Sequence, residues 1–326
     1  MKAIVYSRYG GPEVLEVTEV DRPVPGPGEA LLRVRATSVN AADYRMMRAD
    51  PFLARLANGL FKPKKTRILG IDVAGVVEQI GDGVQQVNVG DEVFGDAFKD
   101  GLGAFAEYVC VSESTLVSKP ENVSFQEAAA IPLAGITAVQ GLRKGKVQSG
   151  EAVLVQGAGG GVGTLLVQIA KALGAEVTAV CGSGSVDLVS GFGADRVIDY
   201  TKEDFWKEDK RYDVILGVNG YHSLAQYKRS LKPGGRYVMI GGNNRQIFEA
   251  LLLGPFKFMF GDKTLGALTI DASLRAKDLA QLRDMLASGQ LKPVIDRTFA
   301  LDDTAEAIRY VEQHHVRGKV VITVPA

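Results

Sequence analysis

Residues 153 to 163 read Val153-Leu154-Val155-Gln156-Gly157-Ala158-Gly159-Gly160-Gly161-Val162-Gly163. The apolar run Ala152–Gln156 enters a cluster of glycines, and Val162–Leu173 then shows helical periodicity. Strand, glycine turn and helix in that order make a unit that holds a dinucleotide. Glycines let the backbone turn tightly and let a pyrophosphate come close. The helix start adds N–H groups and the positive end of its dipole. The frame departs from GxGxxG, because Ala158 stands at its first glycine position while Gly160 and Gly163 fill the other two. A Gly-rich loop alone would say little, so the reading rests on the context. Gly157, Gly160, Gly161, Val162 and Gly163 are the candidates to cradle the pyrophosphate.

Downstream, Glu176–Cys181, Arg196–Ile198, Asp213–Val218 and Arg236–Ile240 are further apolar runs separated by helical segments. That alternation predicts a parallel sheet covered on both faces. Ligands of such sheets lie at the carboxyl ends of the strands. Tyr200 after the third strand, Asn219 after the fourth, and Gly241, Gly242 and Asn243 after the fifth are therefore candidate cofactor contacts. An acid at the end of the second strand would hold the ribose hydroxyls of NAD. This strand instead ends Gly182-Ser183-Gly184-Ser185. Ser183 and Ser185 leave room for a 2′-phosphate and can donate to it, which favours NADP(H) over NAD(H). The alternatives are that Asp187 reaches back, or that these residues only make a loop.

Residues 1–110 read differently. Leu31–Ala36 and Val73–Ile80 are strand-like, and turns such as Pro25-Gly26-Pro27-Gly28, Gly81-Asp82-Gly83 and Gly90-Asp91 punctuate them. Many short strands with such turns predict a small barrel or sandwich. Ser124 with Glu127 has capping-box spacing. The tail returns to the first style, with helices over Lys277–Ala287 and Asp303–Glu312 and strands over Val294–Phe299 and Lys319–Val324. The expected division is 1–124, 125–269 and 270–326, the last part completing the first domain around an α/β insert.

At 326 residues the chain suits two domains. Its 38 basic and 38 acidic residues cancel, which argues against nucleic acid as a partner. Cys110 and Cys181 are too few for a disulfide framework and read as a reducing, cytoplasmic setting. Met1–Tyr6 runs straight into a strand pattern with no leader-like apolar region. Ile247–Phe260, broken by Glu249, Gly254-Pro255 and Lys257, reads as a buried or substrate-covering helix rather than a membrane span. His222, His314 and His315 show no metal spacing and take no catalytic role.

The sequence resembles the medium-chain dehydrogenase/reductase superfamily, in particular its zinc-free quinone oxidoreductase branch. Successive blocks carry the likeness over the whole chain: Tyr9-Gly10-Gly11-Pro12-Glu13-Val14-Leu15, Val39-Asn40-Ala41-Ala42-Asp43, Gly70-Ile71-Asp72-Val73-Ala74-Gly75, Gly90-Asp91-Glu92-Val93-Phe94-Gly95, Ala128–Ala138, Gly193-Ala194-Asp195 and Gly318-Lys319-Val320-Val321. The resemblance implies a Rossmann doubly wound parallel sheet plus a GroES-like β-rich catalytic domain. The zinc alcohol dehydrogenases of the superfamily have Cys where Asn40 stands and a His-Glu pair within Gly70-Ile71-Asp72. Ile71 takes the His position, and an apolar side chain cannot ligate zinc. A structural zinc would need four close cysteines. No metal site is expected.

Without a metal, the suited chemistry is hydride transfer from the cofactor to a quinone or an α,β-unsaturated carbonyl. The resemblance puts Asn40 and Thr137 near the nicotinamide and its ribose, and lets Lys319 reach the cofactor from the tail. A turn residue and a helix-interior hydroxyl are their plainer readings. Tyr44 is the candidate proton donor or carbonyl-orienting group, or else a pocket-wall tyrosine. Arg45 and Arg48 could meet an anionic substrate or simply face solvent. Two rivals stand: an enoyl-thioester reductase with Phe248–Phe260 lining an acyl channel, and a weakly catalytic NADPH-binding sensor or partner-binding protein. A homodimer is expected by edge pairing near Thr264–Thr269.

Overall fold

Two compact units divide the chain. One holds Met1–Ala134, Ala272–Gly289 and Pro293–Ala326, and the other Gly135–Asp271 with Gln290–Lys292. A computed structural model describes residues 1–326 except 51, 53, 54, 65, 66, 208, 243, 251–257, 259, 260, 314, 315 and 326. The change of unit falls after Ala134 rather than at 125. Helix Phe125–Ala129, opened by Ser124 and Glu127 in a capping box, packs on strands of the first unit.

In chain order the first unit contributes β1 (Lys2–Tyr6), β2 (Leu15–Glu19), β3 (Glu29–Val39), β4 (Asp72–Ile80), β5 (Glu92–Asp96), β6 (Tyr108–Ser112) and β7 (Leu116–Ser118). The second contributes β8 (Ala152–Gln156), β9 (Glu176–Cys181), β10 (Arg196–Asp199), β11 (Tyr212–Gly217), β12 (Leu231–Met239) and β13 (Thr264–Ala267). The tail returns β14 (Ile295–Ala300) and β15 (Lys319–Thr323) to the first.

The first unit is built on β3. Its register with β4 shifts between Leu31 and Leu32 and again between Val34 and Ala36. Such irregularities bend a strand, and β3 changes partner along its length. Glu29–Arg33 pair with β6, and Ala36–Val39 pair with β15. The resulting order is β14-β15-β3-β4-β5-β7 with β6 on β3. Leu32, Val34, Ile71, Val73, Phe105 and Val320 are among the side chains that fill its core. The β15 register sets Val320 opposite Val39, which brings the chain on either side of Lys319 and Asn40 together.

The second unit is a six-stranded parallel sheet in the order β10-β9-β8-β11-β12-β13. All five residues of β8 are buried, as a strand covered on both faces requires. Each fully buried Val or Leu there contributes about 1.5–3 kcal/mol relative to exposure. Strand order reverses between β8 and β11, the switch point at which such sheets bind ligands. Leu154, Ile215, Tyr227 and Tyr237 pack in its core, and β13 forms one edge. Most of the Ile247–Phe260 reading lies outside the described residues; helix Asn244–Phe248 is its described beginning.

Candidate active site

β8 ends at Gln156, and Gly157 turns the chain with φ of +83°, a conformation that favours glycine. The N–H groups of Gly157 and Ala158 donate to Val180 O at 3.0 and 2.9 Å, pinning the turn to β9. A Cβ on Gly163 would stand 2.1 Å from Gly157 O and 2.6 Å from Ala158 Cα, so the helix closes on the turn only without a side chain there. Gly159, which the motif reading passed over, faces Ser185: a Cβ would meet Ser185 Oγ at 2.6 Å. Gly160 differs. The nearest atom to a Cβ there is 3.8 Å away, and the residue caps helix Gly161–Ala172. The first N–H groups of a helix have no carbonyl one turn back. An open Gly160 beside the half-buried start of that helix fits a pyrophosphate.

The next subsite lies where β9 and β10 end together, with Asp199 opposite Cys181. Ser183 Oγ donates to Asp199 Oδ2 at 2.7 Å. Thr201 donates from its N and Oγ1 to Asp199 Oδ1 at 3.0 and 2.7 Å, and Lys202 Nζ lies 3.0 Å from Oδ2. The Ser183 hydroxyl, joined by Thr201, holds the Asp199 carboxyl well below its ordinary range. Two features of this end stand out against the sequence. The Ser183 proton goes to Asp199. A cation also stands at this end, since the Lys202 side chain is 74 % exposed beside Ser183. The sequence reading missed Asp199 and Lys202; the adjacency of the third strand to the second is the signal that finds them. Tyr200 is exposed, with its hydroxyl beside Gly182. Ser185 is buried and packs on the turn rather than facing outward.

Asn219 is exposed next to Gly157, and its Oδ1 accepts from Gly220 N at 2.9 Å. The Gly241 N–H donates to Gly217 O at 3.1 Å, placing Gly241 and Gly242 at the end of β12. Asn243 lies outside the described residues. Buried side chains brace these strand ends: Tyr227 donates to Gln156 Oε1 at 2.6 Å, and Gln246 Nε2 donates to Tyr237 Oη at 2.7 Å. Thr137 is half-buried on helix Pro132–Lys144 in the same unit.

In the first unit, Asn40 precedes helix Ala41–Arg48 and its N–H donates to Asp43 Oδ2 at 2.8 Å. Its side-chain amide is engaged at both ends. Nδ2 donates to Asp72 Oδ2 at 2.8 Å and to Ser38 O at 3.3 Å, while Oδ1 accepts from Lys319 Nζ at 2.5 Å. Lys319 also donates to Asp72 Oδ2 at 3.1 Å and to Val39 O at 3.3 Å. Asp72 accepts in addition from Ser38 Oγ at 2.5 Å and Leu133 N at 2.8 Å. Asn40, Asp72 and Lys319 are 8, 0 and 6 % exposed, and Ile71 is fully buried beside them. Lys319 therefore meets Asn40 and Asp72, not open space toward a ligand. Asp43, buried and accepting also from Gly70 N at 3.1 Å, is pushed up to about 7 by burial.

Tyr44 is half-buried on the same helix, and burial raises its phenol above the ordinary value, which keeps it protonated near neutral pH. Arg48 grips Glu312 through two hydrogen bonds, at 2.5 and 2.9 Å, and so is paired rather than turned toward a substrate. Among the described residues no three His, Cys, Asp or Glu side chains gather as a metal ligand set.

Comparison with known proteins agrees with this architecture. Residues 26–121 match the alcohol dehydrogenase GroES-like domain, and residues 192–322 match a family described as zinc-binding dehydrogenase. The chain is 35 % identical to a 2-methylene-furan-3-one reductase of Solanum lycopersicum, covering 99 % of this chain and 79 % of that protein. It is 33 % identical, with the same coverage, to a chloroplastic NADPH-dependent alkenal/one oxidoreductase of Arabidopsis thaliana. The structure of the quinone oxidoreductase from Coxiella burnetii superposes with a TM-score of 0.88 at 31 % identity, covering 100 % of this chain and 99 % of that one. By sequence and by fold, the chain belongs to the medium-chain dehydrogenase/reductase superfamily, in its quinone oxidoreductase-like branch.

Proposed function

We propose that this protein is a zinc-independent oxidoreductase that uses NADPH to reduce a quinone or an α,β-unsaturated carbonyl. The observation that carries the reading is the Lys319 ammonium seated between Asn40 and Asp72, with apolar Ile71 beside them. Amide, carboxylate and protein cation satisfy one another, and these donors suit hydrogen bonding rather than zinc ligation. Oxidising a simple alcohol calls for a Lewis acid to stabilise the alkoxide. Quinones and enones are electrophilic already and need only orientation and a place for developing negative charge.

When bound, NADPH supplies the hydride. The chain's own residues do the rest. The Gly157–Gly163 turn and the start of the following helix hold the pyrophosphate. Lys202 and Tyr200 face the 2′-phosphate end. Asn40 contributes a side-chain amide, and Thr137 offers a hydroxyl. Tyr44 donates a hydrogen bond to the acceptor oxygen as charge builds on it. The names of the related reductases, for a methylene furanone, alkenals and quinones, support acceptors of this class.

The reading extends to a homodimer formed through β13, which is partly exposed at the edge of its sheet. It also includes a reducing, cytoplasmic setting, supported by free Cys110 and Cys181, whose thiols burial pushes up to about 11. No helix among the described residues is long and apolar enough to cross a membrane.

The test is steady-state NADPH oxidation against quinones, enones and enoyl thioesters, with zinc content measured on the same sample. Turnover with quinones or enones at well under one zinc per chain is expected. Turnover with enoyl thioesters alone, or with none of the panel, rejects the reading.

A further inference from the structure

We propose that the loop between Asp50 and Asp72 docks the protein on the anionic surface of a lipid bilayer. Between positions 52 and 61, Phe52, Leu56, Leu60 and Phe61 are 62, 73, 46 and 87 % exposed. Large apolar side chains left singly at a surface are ordinary, whereas a group of them marks an interaction site. Val17, Val24, Val89 and Phe98 of the same unit are exposed in the first manner, each far from the next in sequence.

The loop turns its polar groups inward. Helix Arg55–Asn58 is a single turn. The Gly59 N–H donates to Arg55 O at 2.7 Å and the Lys64 N–H donates to Asn58 O at 2.8 Å, so the chain closes on itself. Gly59 permits this with φ of +126°. Asn58 is buried, and its Nδ2 donates to Tyr6 Oη at 3.0 Å. Gly59 O accepts from Tyr9 Oη at 2.8 Å. The Arg55 guanidinium lies 4.8 Å from the ring centres of both Tyr9 and Phe52, and Pro63 is buried. The amide, the carbonyl and the proline are thus held against β1 and the turn after it, while Leu56, Leu60 and Phe61 face water. That inverts the usual preference of side chains, at a cost in hydration that an apolar partner removes.

Charge names the partner. The whole chain has equal numbers of acids and bases, yet residues 51–71 hold Arg55, Lys62, Lys64, Lys65 and Arg67 with no Asp or Glu. Lys62, Lys64 and Arg67 are exposed, Lys62 directly after Phe61. Lysine is depleted at protein–protein interfaces, so apolar tips flanked by lysines suit lipid better than another protein. Anionic headgroups take the cations and the acyl boundary takes the apolar tips, a pairing of two signals that holds a peripheral protein to a leaflet. Each basic residue close to an anionic leaflet adds roughly fivefold to binding.

The experiment sediments the full chain with vesicles of phosphatidylcholine alone, or of phosphatidylcholine mixed with phosphatidylglycerol, at low and at raised salt. Leu56→Ser/Phe61→Ser and Lys62→Glu/Lys64→Glu variants are compared with the wild type, and Val24→Ser serves as an exposed apolar control. Melting temperature and mass by light scattering are read on each. The wild type is expected to bind the mixed vesicles roughly tenfold or more tightly than phosphatidylcholine alone, and salt should weaken that binding by screening. Both loop variants should lose roughly tenfold or more, by loss of the apolar signal in one and of the basic signal in the other. Their melting temperature and mass should stay those of the wild type, since the altered side chains are exposed. Val24→Ser should bind as the wild type does. A wild type that ignores the mixed vesicles, or binds both kinds equally, overturns the proposal. So do loop variants that bind as well as the wild type, or a Val24→Ser chain that loses as much as they do. A loop variant whose mass falls below the wild type's overturns it too, because the patch then joins two copies of the chain.

Discussion

Ser183 Oγ donates to Asp199 Oδ2 across 2.7 Å, from the end of β9 to the end of β10. The carboxylate at this end of the sheet is therefore occupied by Ser183 and Thr201, and Asp199 is only 8 % exposed. An acid so held is poorly placed to take the two ribose hydroxyls of NAD, while the exposed Lys202 ammonium lies 3.0 Å from its Oδ2. NADPH is expected to bind more tightly than NADH. Lys202→Ala should weaken NADPH roughly tenfold, the size of one charge-assisted hydrogen bond, and leave NADH unchanged. Calorimetric titration checks this, and equal losses for both cofactors would place Lys202 elsewhere.

Two glycines of the same turn should fail in different ways. Alanine at Gly163 would set a Cβ 2.1 Å from a carbonyl oxygen, so the turn must move. Gly163→Ala is expected to lower stability by about 1–3 kcal/mol, as overpacking does. Gly160→Ala meets nothing closer than 3.8 Å and should keep the wild-type melting temperature. Its methyl would occupy the approach of the pyrophosphate, so NADPH affinity should fall, and Gly160→Asp should abolish binding by adding a negative charge. Thermal melts and titrations separate the two. A Gly160→Ala chain with full affinity would show that the phosphate lies elsewhere.

Asp43 and Asp96 are both raised by burial, to about 7 and about 6. A carboxyl whose folded pKa exceeds its unfolded value near 3.8 binds protons more tightly when folded. Its contribution is fully present below the unfolded pKa and is lost as pH rises through the folded one. The two groups therefore destabilise the fold progressively between about pH 4 and 7. Asp43→Asn removes one of them, and its unfolding free energy should fall less steeply over that window than the wild type's. Parallel pH profiles from denaturant melts would contradict the assignment.

Among the described residues β13 forms one edge of the six-stranded sheet and is partly exposed, and such an edge is a template for a second strand. Light scattering on the eluting protein should give twice the chain mass. A single chain mass at micromolar concentration would reject the dimer.

What the sequence made legible was local. Ala152–Gln156 reads as a strand because burial on both faces demands an unbroken apolar run, and Ser124 with Glu127 announces a helix through atoms three residues apart. Other features needed the fold. The proton of Ser183 goes to Asp199 only because β10 lies beside β9. Lys319 meets Asn40, 279 positions away, through the register of β15 on β3. Arg48 is paired with Glu312, a residue of the returning tail. Polar side chains state what they can bond to, while their partners are chosen by topology.

The central claim, hydride transfer to a conjugated acceptor, is tested most directly by following the atom itself. The protein is given NADPH deuterated at the reactive face of C4, together with an α,β-unsaturated ketone, and the product is read by mass spectrometry and NMR. The account predicts one deuterium per product molecule, on the β-carbon, with the α-carbon taking its hydrogen from water. Reduced product without deuterium, or deuterium at the carbonyl carbon of an allylic alcohol, would contradict it.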